Sequence, residues 1–131
     1  MIKTRRDFLI SAGTFTAGVF FIPNLISCSP SNRLNVAVIG VGGQGRANWS
    51  RLINQEDPKW NENIVALCDV DSQRAAAGFE AMPDARRFKD FRVMFDKMHK
   101  EIDAVMVCTP DHVHFPAAMA AMELGKHVIV E

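Results

Sequence analysis

Short apolar runs alternate with segments of helical periodicity along most of this chain. Runs rich in valine, isoleucine, leucine and alanine predict strands, because glycine, proline or polar residues bound each of them. Between them, apolar residues recur at helical spacing, and Phe91, Met94, Phe95 and Met98 predict a helix face packed in the core. The predicted strands are residues 34–39, 64–68, 86–88, 102–107 and 128–130, and the predicted helices are residues 43–54, 71–82, 91–100 and 116–124.

Several residues between these elements predict where helices begin and end. Asp71 has the position and chemistry of an N-cap, and Gly125 that of a helix stop. Residues 54–63 are polar and aperiodic, which predicts a loop with Trp60 as its anchor. Because continuously apolar strands separated by helices are typical of a parallel sheet covered on both faces, we expect an α/β fold of the doubly wound, Rossmann type.

The first 27 residues have the pattern of an export signal. A basic start is followed by an apolar run from Phe8 to Ile22, which glycines and hydroxyl residues dilute. Residues 4–10 resemble the twin-arginine motif through Arg5 and Arg6, so we expect transport by the twin-arginine machinery. A plain transmembrane anchor and an ordinary secretory signal remain alternatives.

Residues 25–28 resemble a bacterial lipobox, which implies cleavage before Cys28 and acylation of this cysteine. The protein would then be periplasmic and tethered to the membrane by lipid; a cysteine that merely follows a cleavage site is the alternative. We therefore expect a signal peptide over residues 1–27, a polar linker over residues 28–32 and a dinucleotide-binding domain over residues 33–131.

Composition excludes several classes of protein. The chain has 131 residues, 48% of them hydrophobic, and its 15 basic side chains balance its 15 acidic ones. Without the signal, 12 basic and 14 acidic side chains remain, which gives no basic surplus for nucleic-acid binding. Cys68 and Cys108 each end an apolar run, and a strand should separate them, so we expect buried thiols and no disulfide.

A glycine-rich segment carries the strongest chemical signal. Residues 40–45 match G-x-G-x-x-G directly after the first strand and before the first helix, as in a dinucleotide-binding turn. The first glycine permits the tight turn, the second lets the backbone approach a pyrophosphate, and the third allows close packing of helix on strand. The residues predicted to contact the cofactor here are Gly40, Gly42, Gly43, Gln44 and Gly45.

Asp69 ends the second strand, 24 residues after the last glycine of this loop. A carboxylate there can bind both ribose hydroxyls of an adenosine and would repel a 2′-phosphate, which favours NAD. NADP stays open because Arg46 or Arg74 could reach a phosphate. An S-adenosylmethionine site is a more distant alternative.

Four segments together resemble the N-terminal domain of the glucose–fructose oxidoreductase, inositol dehydrogenase and rhizopine catabolism (Gfo/Idh/MocA) family. They are the glycine loop, residues 66–69, residues 105–114 and residues 125–131. The resemblance implies that Thr109, Pro110, His114 and Glu131 belong to the cofactor site. It also implies that a catalytic lysine and a C-terminal α/β substrate domain, which usually forms the oligomer interface, lie beyond this chain. We expect the sequence to be part of a longer, homo-oligomeric enzyme.

Asp111, His112 and His114 could suggest a metal site, but no further ligand is identifiable, so we expect none. The leading functional hypothesis is an exported NAD-dependent oxidoreductase of a sugar, cyclitol or related polyol. The first alternative is an NAD-dependent glycoside hydrolase of the redox type found among relatives of the family. The second alternative is a non-catalytic NAD-binding module.

Overall fold

The computed structural model describes residues 33–53 and 62–131, and within them every predicted element is present. The predictions for residues 1–32, including Cys28, and for Trp60 lie outside the described residues. The strands are β1 (Asn35–Ile39), β2 (Asn63–Cys68), β3 (Arg86–Phe88), β4 (Ala104–Val107) and β5 (His127–Val130). The helices are α1 (Gln44–Leu52), α2 (Ala76–Ala81), α3 (Phe91–Met98) and α4 (Asp111–Glu123).

The strands form one parallel sheet in the order β3-β2-β1-β4-β5, which confirms the doubly wound topology. The chain reverses its direction of travel across the sheet between β1 and β4, and a ligand cleft is expected at this switch point. Because all carboxyl ends lie on the same edge, the residues that follow β1, β2 and β4 meet there. No helix among the described residues has the length and apolar character needed to cross a bilayer.

Two apolar layers cover the sheet. On one face, Trp49 and Leu52 of α1 pack on Val38 and Leu67 of the central strands. On the other face, α3 and α4 cover the sheet, and their core residues are Met94, Phe95, Met98, Ala117 and Ala121. The predicted buried face of α3 is therefore confirmed, and Phe91 packs against it while partly exposed.

Two predicted helix starts are wrong. The carboxylate of Asp71 does accept the backbone N–H groups of Gln73 and Arg74, but it caps a turn over residues 72–75 that leads directly into α2, and α2 begins five residues later at Ala76. Helix α4 begins at Asp111 rather than at Pro116, which lies inside it. Since Asp111 suits the positive end of a helix and later alanines are buried against the sheet, these contacts outweigh the one hydrogen bond that the proline removes.

The C-terminus of α4 ends as predicted at Gly125. The N–H of Lys126 donates to the carbonyl of Ala121 at 3.0 Å, and the N–H of Gly125 donates to that of Met122 at 2.9 Å. These two bonds are the Schellman pattern, which stops a helix and turns the chain. The chain then enters β5 directly.

Candidate functional site

The glycine loop joins the end of β1 to the start of α1 through two close approaches that exclude any side chain. Gly40 has φ of +88°, and a Cβ there would lie 2.4 Å from the carbonyl oxygen of Cys108, which follows β4. A Cβ on Gly45 would lie 1.9 Å from the carbonyl oxygen of Gly40. The turn and the close helix–strand packing that the sequence predicts are thus both present.

The N-terminus of α1 lies at the carboxyl edge of the sheet and has no side-chain cap. The N-cap residue of this helix is Gly43, and Gln44 is its first residue. Trp49 stabilises the glycine loop, because its buried indole N–H donates to the carbonyl of Val41 at 2.9 Å. An uncapped helix N-terminus offers backbone N–H groups and positive partial charge to an anion.

Asp69 is placed beside this loop by the register of β2 against β1. One carboxylate oxygen accepts the N–H groups of Val41 and Gly42 at 2.8 and 3.2 Å, and the other accepts the N–H of Asp71 at 2.9 Å. Because a carboxylate has about four acceptor positions, only about one is left for a ligand hydroxyl. Asp69 therefore also organises the loop, a role that sequence spacing did not indicate.

A cleft of about 660 Å³ lies along this edge, and the predicted residues that line it are Gly40, Gly42, Gly43, Gln44, Asp69, Thr109 and Pro110. Arg74, Lys89 and Arg92 line it as well, whereas the exposed Arg46 does not. Gly42 lies against the backbone of Arg74, since a Cβ on Gly42 would be 3.0 Å from the Arg74 carbonyl oxygen.

Three predicted residues are outside the cleft lining. Gly45 is buried and does not reach the cleft surface. His114 lies on α4, and its Nε2 is hydrogen-bonded to the backbone carbonyl of Thr109. Glu131 lies beyond the end of β5, where its N–H donates to the carbonyl of Val107 at 2.9 Å. His114 therefore positions the backbone of Thr109 in this structure, and a direct contact of His114 or Glu131 with the cofactor stays a prediction.

The residues considered as metal ligands occupy the first turn of α4 instead of the predicted loop. Within residues 33–53 and 62–131, no three histidine, cysteine or acidic side chains form a group that could hold a metal ion. His112 lines the cleft, and His114 is turned to the Thr109 carbonyl.

Asn48 lies outside the cleft lining but bonds to Cys108, which is part of that lining, and this contact was missed by sequence reasoning. Asn48 is buried in α1 and donates through Nδ2 to the Glu131 carboxylate at 2.6 Å and to Cys108 Sγ at 3.5 Å. Its spacing could have revealed it, because Asn48 follows Gly45 by three residues and precedes Leu52 by four, on the buried face of the helix.

The two thiols at the edge are free and buried, as predicted, with β1 between their strands. Burial raises the pKa of Cys68 to about 12 from its ordinary value of 9.0, and the charges of Asp90 and Asp69 add to the effect. Burial and the charge of Glu131 also raise the pKa of Cys108, against the opposing effect of its hydrogen bond from Asn48. Both thiols are therefore protonated at neutral pH.

The raised pKa of Cys68 predicts a loss of stability at alkaline pH. Its protonated form favours the folded state, so this contribution is complete below pH 9.0 and disappears as the pH rises toward about 12. Urea unfolding between about pH 8 and pH 10.5 should show that Cys68→Ala loses less stability over this interval than the unmodified protein does. An equal loss in both proteins would contradict the assignment.

Comparison with known proteins decides the family. The Gfo/Idh/MocA family, described as an oxidoreductase family with an NAD-binding Rossmann fold, matches residues 34–131. This chain belongs to the Gfo/Idh/MocA family. Residues 34–131 are thus an NAD-binding Rossmann domain, as the resemblance of the four sequence segments implied.

Relatives with two different names are similar to this chain. An inositol 2-dehydrogenase of Corynebacterium glutamicum is 31% identical over 101 residues, covering 77% of this chain and 28% of the relative. A glycosyl hydrolase family 109 protein of Stenotrophomonas maltophilia is 29% identical over 133 residues, covering 95% of this chain and 28% of the relative. The chain therefore spans little more than a quarter of the length of these relatives.

A solved structure shares the fold. The scyllo-inositol dehydrogenase of Lactobacillus casei, solved with NAD(H) and scyllo-inositol, has a TM-score of 0.61 and 21% identity over 75% of this chain and 27% of that one. At this identity the likeness concerns the fold alone.

The side chains of the cleft fit NAD. Thr109 Oγ1 is buried without a hydrogen-bond partner, although Thr109 lines the cleft, and such a group is costly unless a ligand pairs with it. The uncapped start of α1 would hold the pyrophosphate and Asp69 a ribose hydroxyl. The cleft thus offers candidate partners for the pyrophosphate and for a ribose hydroxyl, and one unpaired hydroxyl at Thr109.

The unpaired hydroxyl of Thr109 predicts opposite effects on stability and on NAD affinity when it is removed. Thr109→Val keeps the shape but removes the hydroxyl, so the unfolding free energy without cofactor should stay unchanged or rise by up to about 1 kcal/mol. The NAD dissociation constant should instead rise by about 3- to 10-fold, because a hydrogen bond to the ligand is lost. Calorimetric titration and urea unfolding measure the two effects.

Ser50→Ala is the matched control, since this exposed hydroxyl bonds only to the Ala47 carbonyl and does not line the cleft. Its NAD affinity should equal that of the unmodified protein. A Thr109→Val protein that loses stability but binds NAD normally would show that the hydroxyl serves the fold instead.

Proposed function

We propose that the full-length protein is an exported NAD-dependent oxidoreductase that transfers a hydride between its cofactor and a sugar, cyclitol or related polyol. The observation that carries the proposal is the cleft of a Gfo/Idh/MocA domain in which the Thr109 hydroxyl is buried and unpaired. The similarity to inositol 2-dehydrogenase supports a polyol as substrate. When bound, the nicotinamide ring supplies or accepts the hydride.

The described residues bind and orient the cofactor. The glycine loop lets the backbone approach the pyrophosphate, Asp69 accepts from the ribose, and Thr109 donates or accepts at the carboxyl end of β4. His114 keeps the Thr109 backbone in place. We assign the transfer of the hydroxyl proton to a lysine beyond Glu131, as the resemblance implies, and the substrate pocket and oligomer interface to a second domain.

A redox-type glycoside hydrolase is the second candidate, and the similarity to a glycosyl hydrolase family 109 protein favours it. Such an enzyme would oxidise a sugar hydroxyl to a ketone, eliminate the aglycone, add water to the resulting double bond and reduce the ketone again with the same cofactor. A freely exchanging NAD pool is not expected outside the cytoplasm, so a cofactor that is regenerated within each cycle suits an exported protein.

Incubation of the full-length protein with aryl glycosides, and separately with free polyols and NAD, distinguishes these functions. The proposed oxidoreductase forms NADH from a polyol in proportion to product. Cleavage of a glycoside without net NADH would establish the hydrolase, and NAD binding without either reaction would leave a non-catalytic module.

Export and lipid attachment are part of the proposal and rest on the sequence of residues 1–28. We expect Arg5→Lys combined with Arg6→Lys to retain the protein in the cytoplasm. Cys28→Ser should release it from the membrane fraction. Fractionation followed by immunoblotting checks both results, and an unchanged distribution in either variant would refute the corresponding step.

A further inference from the structure

The buried side-chain amide of Asn48 in α1 forms a hydrogen bond with Glu131, the residue that follows β5. Asn48 lies in the helix that follows the glycine loop and is 7% exposed, the one buried polar residue recorded for residues 33–53 and 62–131. Its Nδ2 donates to Glu131, 83 positions away in the sequence, and to Cys108. Burial of an amide is unfavourable unless its donors are paired, so this side chain depends on both partners.

The chemistry of the partners determines which way the amide points. An ionised carboxylate only accepts hydrogen bonds, so the NH₂ group of Asn48 must face Glu131. A bond to a charged partner is stronger than one between neutral groups. Glu131 is also paired with β4 through its backbone, since its N–H donates to Val107. Backbone and side chain together therefore hold Glu131 at the carboxyl edge that carries the cleft.

We propose that Asn48 is a positioning residue for hydride transfer: it holds Glu131 at the carboxyl edge of the sheet and thereby sets the direction in which the polypeptide leaves β5. The inference rests on the proposed function, because the group placed by this exit is the proton-transferring residue expected after Glu131. Since α1 begins within the glycine loop and also carries Asn48, one helix connects the expected phosphate site to Glu131.

The test uses the full-length enzyme with two variants of Asn48. Asn48→Leu keeps the size of the side chain and removes the donor, so kcat should fall by about 10-fold or more while the NAD dissociation constant stays within about threefold. Asn48→Asp places two carboxylates together, and one of them should take up a proton at low pH. At about pH 5 the shared proton restores the bond, so kcat relative to the unmodified enzyme should fall as the pH rises to about 8.

In Asn48→Asp, the groups expected to titrate between about pH 5 and pH 8 are the two adjacent carboxylates. The neighbouring Cys108 thiol stays neutral over this pH interval, because burial raises its pKa. Asn63→Asp is the matched control. It introduces the same charge at the opposite edge of the sheet, where the Asn63 amide donates to Asn35, and its pH profile should follow that of the unmodified enzyme.

Failure of this inference is distinguishable from failure of the proposed function. An unmodified enzyme that oxidises polyols while Asn48→Leu keeps its kcat, or while Asn48→Asp shows no additional pH dependence, overturns the role of Asn48. If the unmodified enzyme oxidises no polyol, the proposed function fails, and the pairing is judged by urea unfolding. Asn48→Leu combined with Glu131→Ala should then destabilise no more than the worse single variant, and strictly additive losses would refute the pairing.

Discussion

Asp69→Ala is expected to lower NAD affinity on the order of 100-fold, because charge-assisted hydrogen bonds contribute about 1.5–3 kcal/mol each. Two losses combine: the ribose loses its acceptor, and the N–H groups of Val41 and Gly42 lose the carboxylate that holds the loop. Calorimetric titration of the full-length protein with NAD measures the change.

The same substitution should change the preference between cofactors. Arg74, Lys89 and Arg92 line the cleft together with Asp69, Asp71 and Asp90, so removal of the Asp69 charge changes the net charge of these lining side chains from zero to +1, which makes a 2′-phosphate less unfavourable. NADP affinity should therefore fall far less than NAD affinity, or rise. Asp96→Ala, which removes an exposed carboxylate of α3 outside the cleft, is the control and should leave both affinities unchanged. Unchanged NAD affinity in Asp69→Ala would refute the fingerprint at this position.

Gly45→Ala is expected to be the most destabilising substitution in the loop. The new methyl group would lie 1.9 Å from the Gly40 carbonyl oxygen, a backbone atom that cannot rotate away. The helix must therefore move off the strand, at a cost of about 3 kcal/mol or more. Urea unfolding should show this loss together with weak NAD binding, because α1 carries the phosphate-binding end.

Gly125→Ala provides a graded control for that result. Its φ of +71° also disfavours a side chain, but no atom lies within 4 Å of the position of a Cβ. The expected cost is the conformational strain alone, about 1–2 kcal/mol, with NAD affinity preserved. Gly45 has no positive φ, so a Gly45→Ala loss no larger than that of Gly125→Ala would mean that the contact with the Gly40 carbonyl is relieved at little cost.

The amino-acid sequence by itself determined the order of strands and helices and the dinucleotide fingerprint. Apolar runs next to glycines or acids are local signals, since a strand buried on both faces is continuously apolar and a phosphate-binding turn excludes side chains. The predicted N-cap at Asp71 shows the limit of such signals. A carboxylate can cap any turn that follows it, and packing against the sheet decides whether a helix continues from there.

Tertiary structure alone decided how the polar groups of the site are paired. Asp69 appears in the sequence as a free ligand for a ribose, yet three backbone N–H groups already occupy it. Asn48 can donate a hydrogen bond to Glu131 only because α1 and the end of β5 lie together at one edge of the sheet. Such pairings join residues far apart along the chain, and their strength depends on distance and burial, which periodicity and spacing do not contain.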